Sequence, residues 1–320
     1  MVSTVRSYQR KEEIINMSEV KNSSENKKSN GHLYKILALV FAIGFVVATG
    51  FAIRDAYYKW QMQKQYEALA DMMVAGTENE AVEDAGQNGV AETEMLEETE
   101  TIESEAEELS EIEKFLAECG TAIPEKNLDW DMLTDENEHI YAWIHIPGTN
   151  VDYPMLQHPE NVNYYLEHNL DHSKGLPGCI YTENYNSKDF TDPNTVIYGH
   201  NMKNGSMFAT LHKYEDKAFF EENRFAYIYT PERVLVYDIF AAYEFSDLHL
   251  MLSFDFATKE SFELYLDGIR EINDMNAHHR DETEVTGDDR IITMSTCIGS
   301  KPNNRWIVAG VLIGEETIEE

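Results

Sequence analysis

The sequence predicts a mainly β domain with helical excursions, preceded by one transmembrane helix and an acidic stalk. Three observations support this fold class. An apolar run occupies residues 33–53, a strongly acidic segment follows at 77–120, and short alternating apolar runs fill residues 121–320. Because about eight short strands in such a length favour a closed barrel or a sandwich, we predict an eight-stranded β-barrel.

The apolar run 33–53 (LYKILALVFAIGFVVATGFAI) contains one charged residue, Lys35. As a helix it spans roughly the 30 Å of a bilayer core. A buried core helix does not suit a segment flanked by polar tails, and the leader is too long for a cleaved signal peptide. Six basic residues precede the run and three follow it closely. We therefore expect a single-pass anchor in membrane lipid, with residues 1–32 as a cytoplasmic tail and the rest outside.

Residues 54–120 are predicted to form a stalk that carries no chemistry. Its first part, 54–75, is expected to continue the helix out of the membrane. Residues 77–120 then carry one basic and sixteen acidic residues. Such a segment cannot bury enough apolar surface to offset the entropy of ordering it, so we predict an extended, disordered spacer.

The composition excludes several classes of protein. The 25 basic and 59 acidic residues give a net charge of −34, which argues against a nucleic-acid-binding protein. The three cysteines are too few for a disulfide framework, and the absence of a C-x-x-C pair argues against a zinc ribbon or a redox motif. The acidic stalk also lacks the spacing of a calcium-binding loop.

In the outer domain, residues 121–320, strands are predicted where Val, Ile, Tyr and Thr alternate between turn residues. The predicted strands are 141–146, 151–156, 178–182, 195–199, 225–230, 233–244, 290–297 and 305–313. Helices are predicted at 160–168, 206–222 and 257–273. The last of these has one apolar stripe at helical spacing, and Thr258 is its expected N-cap.

Cys297 ends a predicted strand, and Arg305 opens the next one after a short loop. If the two strands form an antiparallel hairpin, the thiol and the guanidinium lie side by side at the rim of the barrel. A cation beside a cysteine lowers the pKa of the thiol, and the thiolate is the nucleophile. The alternative is a small buried residue at a strand end and an arginine that protects a sheet edge.

His200 strengthens the catalytic interpretation because it follows the apolar strand TVIYG directly. Catalytic groups are common where a strand passes into a loop. Of the competing histidines, His145 lies inside a predicted strand and is expected to be structural, whereas His278 and His279 are expected on a surface loop. A cysteine and a histidine on separate elements suffice for acyl transfer through a thioester.

The strand ending TMSTC, the Arg305-Trp306 pair that opens the next strand and the upstream VIYGHN together resemble the sortases, the Gram-positive cell-wall transpeptidases. The long predicted helix and the region 127–158 resemble class B sortases in particular. The resemblance covers roughly residues 125–314 and implies a sortase-like β-barrel. Met294 replaces the Leu that is commoner in the family, a swap that conserves volume.

The resemblance implies a role for each residue of the motifs. Cys297 would attack the backbone carbonyl of a Thr in a sorting signal of LPxTG-like or NPxTx-like type. His200 would give a proton to the departing amine, and Arg305 would stabilise the oxyanion. Ser295 and Thr296 would line the substrate groove. The partners implied are surface proteins that bear the sorting signal and an amine of peptidoglycan, and class B members imply neither metal nor cofactor.

Two other functions stay open at this point. A papain-like or wall-directed cysteine peptidase would place its cysteine at a helix N-terminus and its histidine later in the chain, unlike Cys297 and His200. A tethered, non-catalytic binding domain would not need Cys297. A disulfide between Cys119 and Cys179 is a further alternative that the sequence does not decide.

Overall fold

The computed structural model describes residue 35 and residues 37–70 and 109–318. The predicted cytoplasmic tail, 1–32, lies outside the described residues. So does the segment 71–108, which holds most of the predicted acidic spacer.

The first described element is a long apolar helix, α1 (Leu37–Ala70). Its most apolar 18-residue window has a mean hydropathy of 2.2, and none of that window is buried. By length and composition this helix could cross a membrane, as the sequence predicts. The chain divides into two compact units, Met1–Gln61 and Met62–Glu320, so the last turns of α1 belong to the second unit.

Part of the sequence assigned to the stalk is folded within the second unit. Met62, Tyr66 and Leu69 are 3–5% exposed, and their spacing puts them on one face of the helix. Helix α2 (Glu111–Glu118) begins with a capping box at Ser110 and buries Ile112 and Leu116. In both segments, short apolar stripes among charged residues bury their apolar faces in the folded unit.

Nine strands follow in the part of the chain that the structure describes. They are β1 (Ile140–His145), β2 (Asp152–Leu156), β3 (Ile180–Thr182), β4 (Asn194–Tyr198), β5 (Phe225–Tyr229), β6 (Arg233–Ser246), β7 (His278–His279), β8 (Ile291–Ile298) and β9 (Lys301–Thr317). The sheet order is β5-β1-β2-β3-β4-β8-β9-β6, and β6 pairs with β5 again. This pairing closes eight strands into the predicted barrel, with β7 added at the free edge of β6.

The remaining helices connect these strands. They are α3 (Trp130–Glu136), α4 (Tyr164–Glu167), a 3₁₀ helix (Phe208–Glu215), α5 (Lys217–Glu222), α6 (Leu250–Ser253) and α7 (Lys259–Arg270). The long predicted helix is α7, and Thr258 caps it as expected. The helix predicted at 206–222 is instead two elements, because Asp216 ends the 3₁₀ helix and caps α5 through its side chain. The helix predicted at 160–168 is only the single turn α4.

The prediction that His278 and His279 lie on a surface loop is wrong. They form β7, pair with Ala242 and Ala241 of β6, and are half-buried. Their Nε2 atoms lie 3.0 and 2.8 Å from the carbonyl oxygens of Glu215 and Ile272. An isolated histidine pair has no strand periodicity, so local pattern could not reveal this pairing.

The barrel has apolar side chains on both faces of β8. Ile292 and Met294 join the cluster inside the barrel, whereas Ile291 joins the cluster beneath α7. Because side chains alternate along a strand, Cys297 points to the same face as Ile291. All three cysteines are free, so Cys119 and Cys179 form no disulfide.

Candidate active site

Three neighbouring strands bring His200, Cys297 and Arg305 into one row. Strand β4 runs parallel to β8 with Tyr198 opposite Ser295, so that His200 and Cys297, each two residues further on, reach the same level. Strand β9 runs antiparallel to β8 with Arg305 opposite Cys297. The β8–β9 hairpin expected from the sequence is therefore present, and it sets the guanidinium-bearing residue beside the thiol-bearing one.

The row lies at a groove with a cavity of about 190 Å³. His200, Cys297 and Arg305 all line this groove, together with the loop that follows β6 and with Leu166 of α4. His145 is not part of it: this residue lies in β1, where its Nδ1 is 3.4 Å from the Asp152 carboxylate. The structure thus gathers the three predicted catalytic residues and leaves the competing histidine outside.

The thiol of Cys297 is exposed at the end of β8. Ser295, two residues earlier, shares its face and is 6% exposed. Thr296 also borders the groove, but its side chain points to the other face of β8, towards the barrel interior. Its pairing partner on β9 is Trp306. Its Oγ1 is buried without a hydrogen-bond partner.

The imidazole of His200 is oriented by a backbone carbonyl that no motif in the sequence marks. Nε2 lies 2.7 Å from the Leu166 oxygen. Because a carbonyl oxygen only accepts, Nε2 carries a proton and donates it to Leu166, which leaves Nδ1 for chemistry. Gly178 lets this loop pack closely: with φ at +69°, a Cβ there would lie 2.8 Å from the Tyr165 oxygen and 3.3 Å from His200 Cδ2.

Arg305 is half-buried, and its Nη1 donates to the carbonyl oxygens of Pro302 and Asn304, both at 3.0 Å. Both acceptors are neutral, so these bonds orient the guanidinium without neutralising its charge. A fixed positive group at the rim of the groove is suited to stabilising a developing oxyanion.

A contact between the buried Glu183 carboxylate and the half-buried His249 imidazole closes another side of the groove. Glu183 is 3% exposed, and its two carboxylate oxygens lie 2.9 and 3.0 Å from His249 Nε2. Burial raises the pKa of Glu183, although the charge and hydrogen bond of His249 act in the opposite direction. The Tyr198 hydroxyl donates to the same carboxylate at 3.4 Å. Nothing in the local sequence pairs residues 183 and 249, so this pair could only be found in the fold.

Within the described parts of the chain, no three His, Cys, Asp or Glu side chains are grouped so that they could hold a metal ion. The chemistry that the groove offers is that of a thiol, an imidazole and a guanidinium. Cys297 lies in a strand rather than at a helix N-terminus, which differs from the arrangement expected of a papain-like peptidase.

Comparisons with known proteins agree with this geometry. The sequence model of the sortase domain matches residues 144–313. Sortase B of Listeria monocytogenes is 38% identical over 180 residues, which cover 55% of this chain and 71% of the relative.

Two solved structures extend the comparison. The X-ray structure of Clostridium perfringens sortase B has a TM-score of 0.52 and 29% identity, covering 57% of this chain and 99% of that one. The Staphylococcus aureus sortase B–substrate complex has a TM-score of 0.50 and 26% identity, covering 57% and 84%. The chain belongs to the sortase family of cell-wall cysteine transpeptidases and is a class B sortase.

Proposed function

We propose that this enzyme cleaves a C-terminal sorting signal of LPxTG-like or NPxTx-like type and joins the cleaved protein to an amine of peptidoglycan. The observation that carries the proposal is the row of His200, Cys297 and Arg305 across β4, β8 and β9 at one groove. The related sortase B of Staphylococcus aureus has been solved as a substrate complex, which supports a peptide in the corresponding groove here.

In the first step, the Cys297 thiolate attacks the carbonyl carbon of the Thr in the signal, and a C–S bond forms as the carbonyl electrons move to oxygen. Arg305 stabilises the resulting oxyanion. The proton of the Cys297 thiol is held at this stage on His200 Nδ1, so the ring is protonated on both nitrogens; as the C–N bond breaks, Nδ1 donates this proton to the departing amine and His200 becomes neutral. The product bound to the enzyme is a thioester.

In the second step, the acceptor amine attacks the thioester and His200 accepts its proton. The C–S bond breaks, which regenerates the thiolate and leaves a new amide bond. Water in place of the amine would give a free acid, so the same site would also act as a cysteine endopeptidase. Ser295, and Thr296 through its main chain, line the path of the peptide in this proposal.

The rest of the chain supports a tethered location. The apolar residues 33–53 would anchor the enzyme in membrane lipid by a single pass, with the N-terminus inside because the basic residues precede the span. The acidic spacer would then allow the catalytic domain to reach the cell wall.

The test is turnover of fluorogenic LPxTG-type and NPxTx-type peptides by the compact unit, residues 62–320, with and without an added amine. We expect cleavage with wild type, an amide product when amine is present, and no turnover by Cys297→Ala. Cys119→Ala is the matched control, because Cys119 is the other exposed thiol, and it should retain full activity. A free acid as the only product would favour a peptidase. No cleavage, with Cys297 inert to alkylation, would favour a binding domain.

A further inference from the structure

We propose that Asn201 and the Glu215–His212 pair are positioning residues that hold the main chain of the nucleophile Cys297. They act on the Cys297 carbonyl rather than on its thiol. The inference rests on the proposed role of Cys297 and adds a second set of residues, which no motif in the sequence marked.

The Cys297 carbonyl lies at an irregularity of the sheet. The β8–β9 register shifts between Cys297 and Ile298, so the regular ladder ends at the nucleophile. Two side chains bind the carbonyl oxygen there: Asn201 donates from Nδ2 at 2.9 Å, and His212 Nε2 lies at 3.0 Å. A backbone carbonyl that forms bonds to two side chains at a strand end is held more firmly than a frayed terminus.

The partner of His212 on its other side is a carboxylate. Nδ1 lies 2.6 Å from Glu215 Oε1, one turn along the 3₁₀ helix. Because a carboxylate accepts, Nδ1 carries a proton. When Nε2 also carries one, the ring is cationic and donates to the Cys297 carbonyl. When Nε2 is unprotonated, the Asn201 amide, 3.0 Å away, can donate to it. Asn201 therefore holds the carbonyl in both states, and the contact made by His212 depends on its proton.

We call Asn201, His212 and Glu215 the clamp. The segment that contains Asn201 also contains His200, the proposed catalytic histidine, which makes the clamp relevant to catalysis. Asn201 follows His200 directly, so its bond to Cys297 ties the end of β4 to the end of β8. The intervening loop is closed by a bond from the Phe208 N–H to the His200 carbonyl at 3.0 Å and by a bridge between Asn201 and Met207. The segment between Asn201 and His212 therefore contacts the Cys297 carbonyl at both of its ends.

Packing against β9 fixes the 3₁₀ helix in place. Trp306 donates from Nε1 to the Leu211 carbonyl at 2.9 Å, and its ring stacks on His212 with centroids 6.0 Å apart and an angle of 23°. Trp306 is 2% exposed and follows Arg305 in β9. A displacement of His212 would therefore shift both the main chain of Cys297 and the strand that carries Arg305.

The charged and titratable groups around His212 come from several elements. Glu215 lies on its own helix, and Asn201 and Trp306 are neutral. His278 of β7 has Nε2 3.0 Å from the Glu215 carbonyl. Lys301 of β9 has its pKa raised by a hydrogen bond to Glu244 and, to a lesser extent, by the charge of Glu215. The variant His278→Gln serves as the control for the contribution of this neighbouring histidine.

The experiment uses the full chain in detergent and compares wild type with Asn201→Asp, His212→Phe and His212→Gln. Asp keeps the shape of Asn but has no N–H to donate, and Phe keeps the stack on Trp306 but loses both hydrogen bonds. Gln can restore a single N–H. Lys213→Gln is the matched control, since Lys213 neighbours His212 and donates only to the Gly148 carbonyl, at 2.9 Å.

We expect Asn201→Asp and His212→Phe to lower kcat by about tenfold or more, with KM within about twofold of wild type. His212→Gln should recover most of the loss. Lys213→Gln and His278→Gln should keep the wild-type kcat.

Wild-type kcat in both Asn201→Asp and His212→Phe would overturn the inference while leaving the proposed function intact. A wild-type chain without Cys297-dependent turnover would overturn both. If His212→Phe does not fold, the other two variants test the proposal. Wild-type activity of Asn201→Asp would refute the clamp. A tenfold loss in Asn201→Asp, with His212→Gln close to wild type, would support it.

Discussion

Residues 62–70 should stabilise the catalytic unit, although their sequence reads as part of a stalk. Tyr66 is 3% exposed, and its hydroxyl donates to the Gly178 carbonyl at 2.9 Å and lies 3.3 Å from Cys179 Sγ. Burial raises the pKa of Tyr66, so the hydroxyl remains a donor at neutral pH. Gly178 packs in turn against His200, so this contact lies directly behind the candidate active site.

The cost of removing these contacts follows from their burial. Tyr66→Phe leaves the buried Gly178 oxygen without this donor, which costs roughly 1–3 kcal/mol. Leu69→Ala empties a site that is 4% exposed, at a cost of roughly 2–5 kcal/mol. For a unit of this size each kcal/mol lowers Tm by about 2–4 °C. We therefore expect a fall of several degrees in either variant.

The assay is thermal unfolding, followed by circular dichroism, of fragments that begin at Met62 or at Leu109. The shorter fragment should unfold at a lower temperature than the longer one, and Tyr66→Phe should close part of that gap. Glu67→Gln, on the exposed face of the same helix, should leave Tm unchanged. Equal Tm values for the two fragments and for Tyr66→Phe would refute the argument that these residues belong to the folded unit.

Three further predictions concern the groove and the barrel. Arg305→Lys should lower kcat by about 10²-fold in the peptide assay, since an ammonium cannot reproduce a fixed guanidinium at the oxyanion; unchanged kcat would remove Arg305 from the mechanism. Glu183→Gln should raise the peptide KM without slowing alkylation of Cys297, because the pair with His249 shapes the groove wall; unchanged KM would contradict this. Burial alone would raise the pKa of Asp152, but the nearby His145 ring and the hydrogen bonds from Lys126 and Trp143 lower it to about 2, so about 2 kcal/mol of stability present above pH 4 should be lost as pH falls towards 2. Urea midpoints of wild type and Asp152→Asn should converge over that range, and a constant difference would contradict the assignment.

Local pattern was sufficient for much of this molecule. The uniform apolar run at 33–53 predicts a helix that could span a membrane, because a helix on the surface of a globular protein has a polar face as well as an apolar one. The alternation in β8 predicts which face Cys297 occupies, and the motifs around Cys297, His200 and Arg305 identify the family. These features are encoded in neighbouring residues, so they can be read without knowing the fold.

The tertiary structure decided the contacts between distant residues. The Leu166 carbonyl orients His200, the Glu183–His249 pair forms a groove wall, and Asn201 binds the Cys297 carbonyl across 96 positions of the chain. None of these pairs has a periodicity, since each arises where strands distant in sequence become neighbours in the closed barrel. Hydrogen bonds and ion pairs act only over a few ångströms, so the partners become known only when packing of the whole chain has set which strand ends meet.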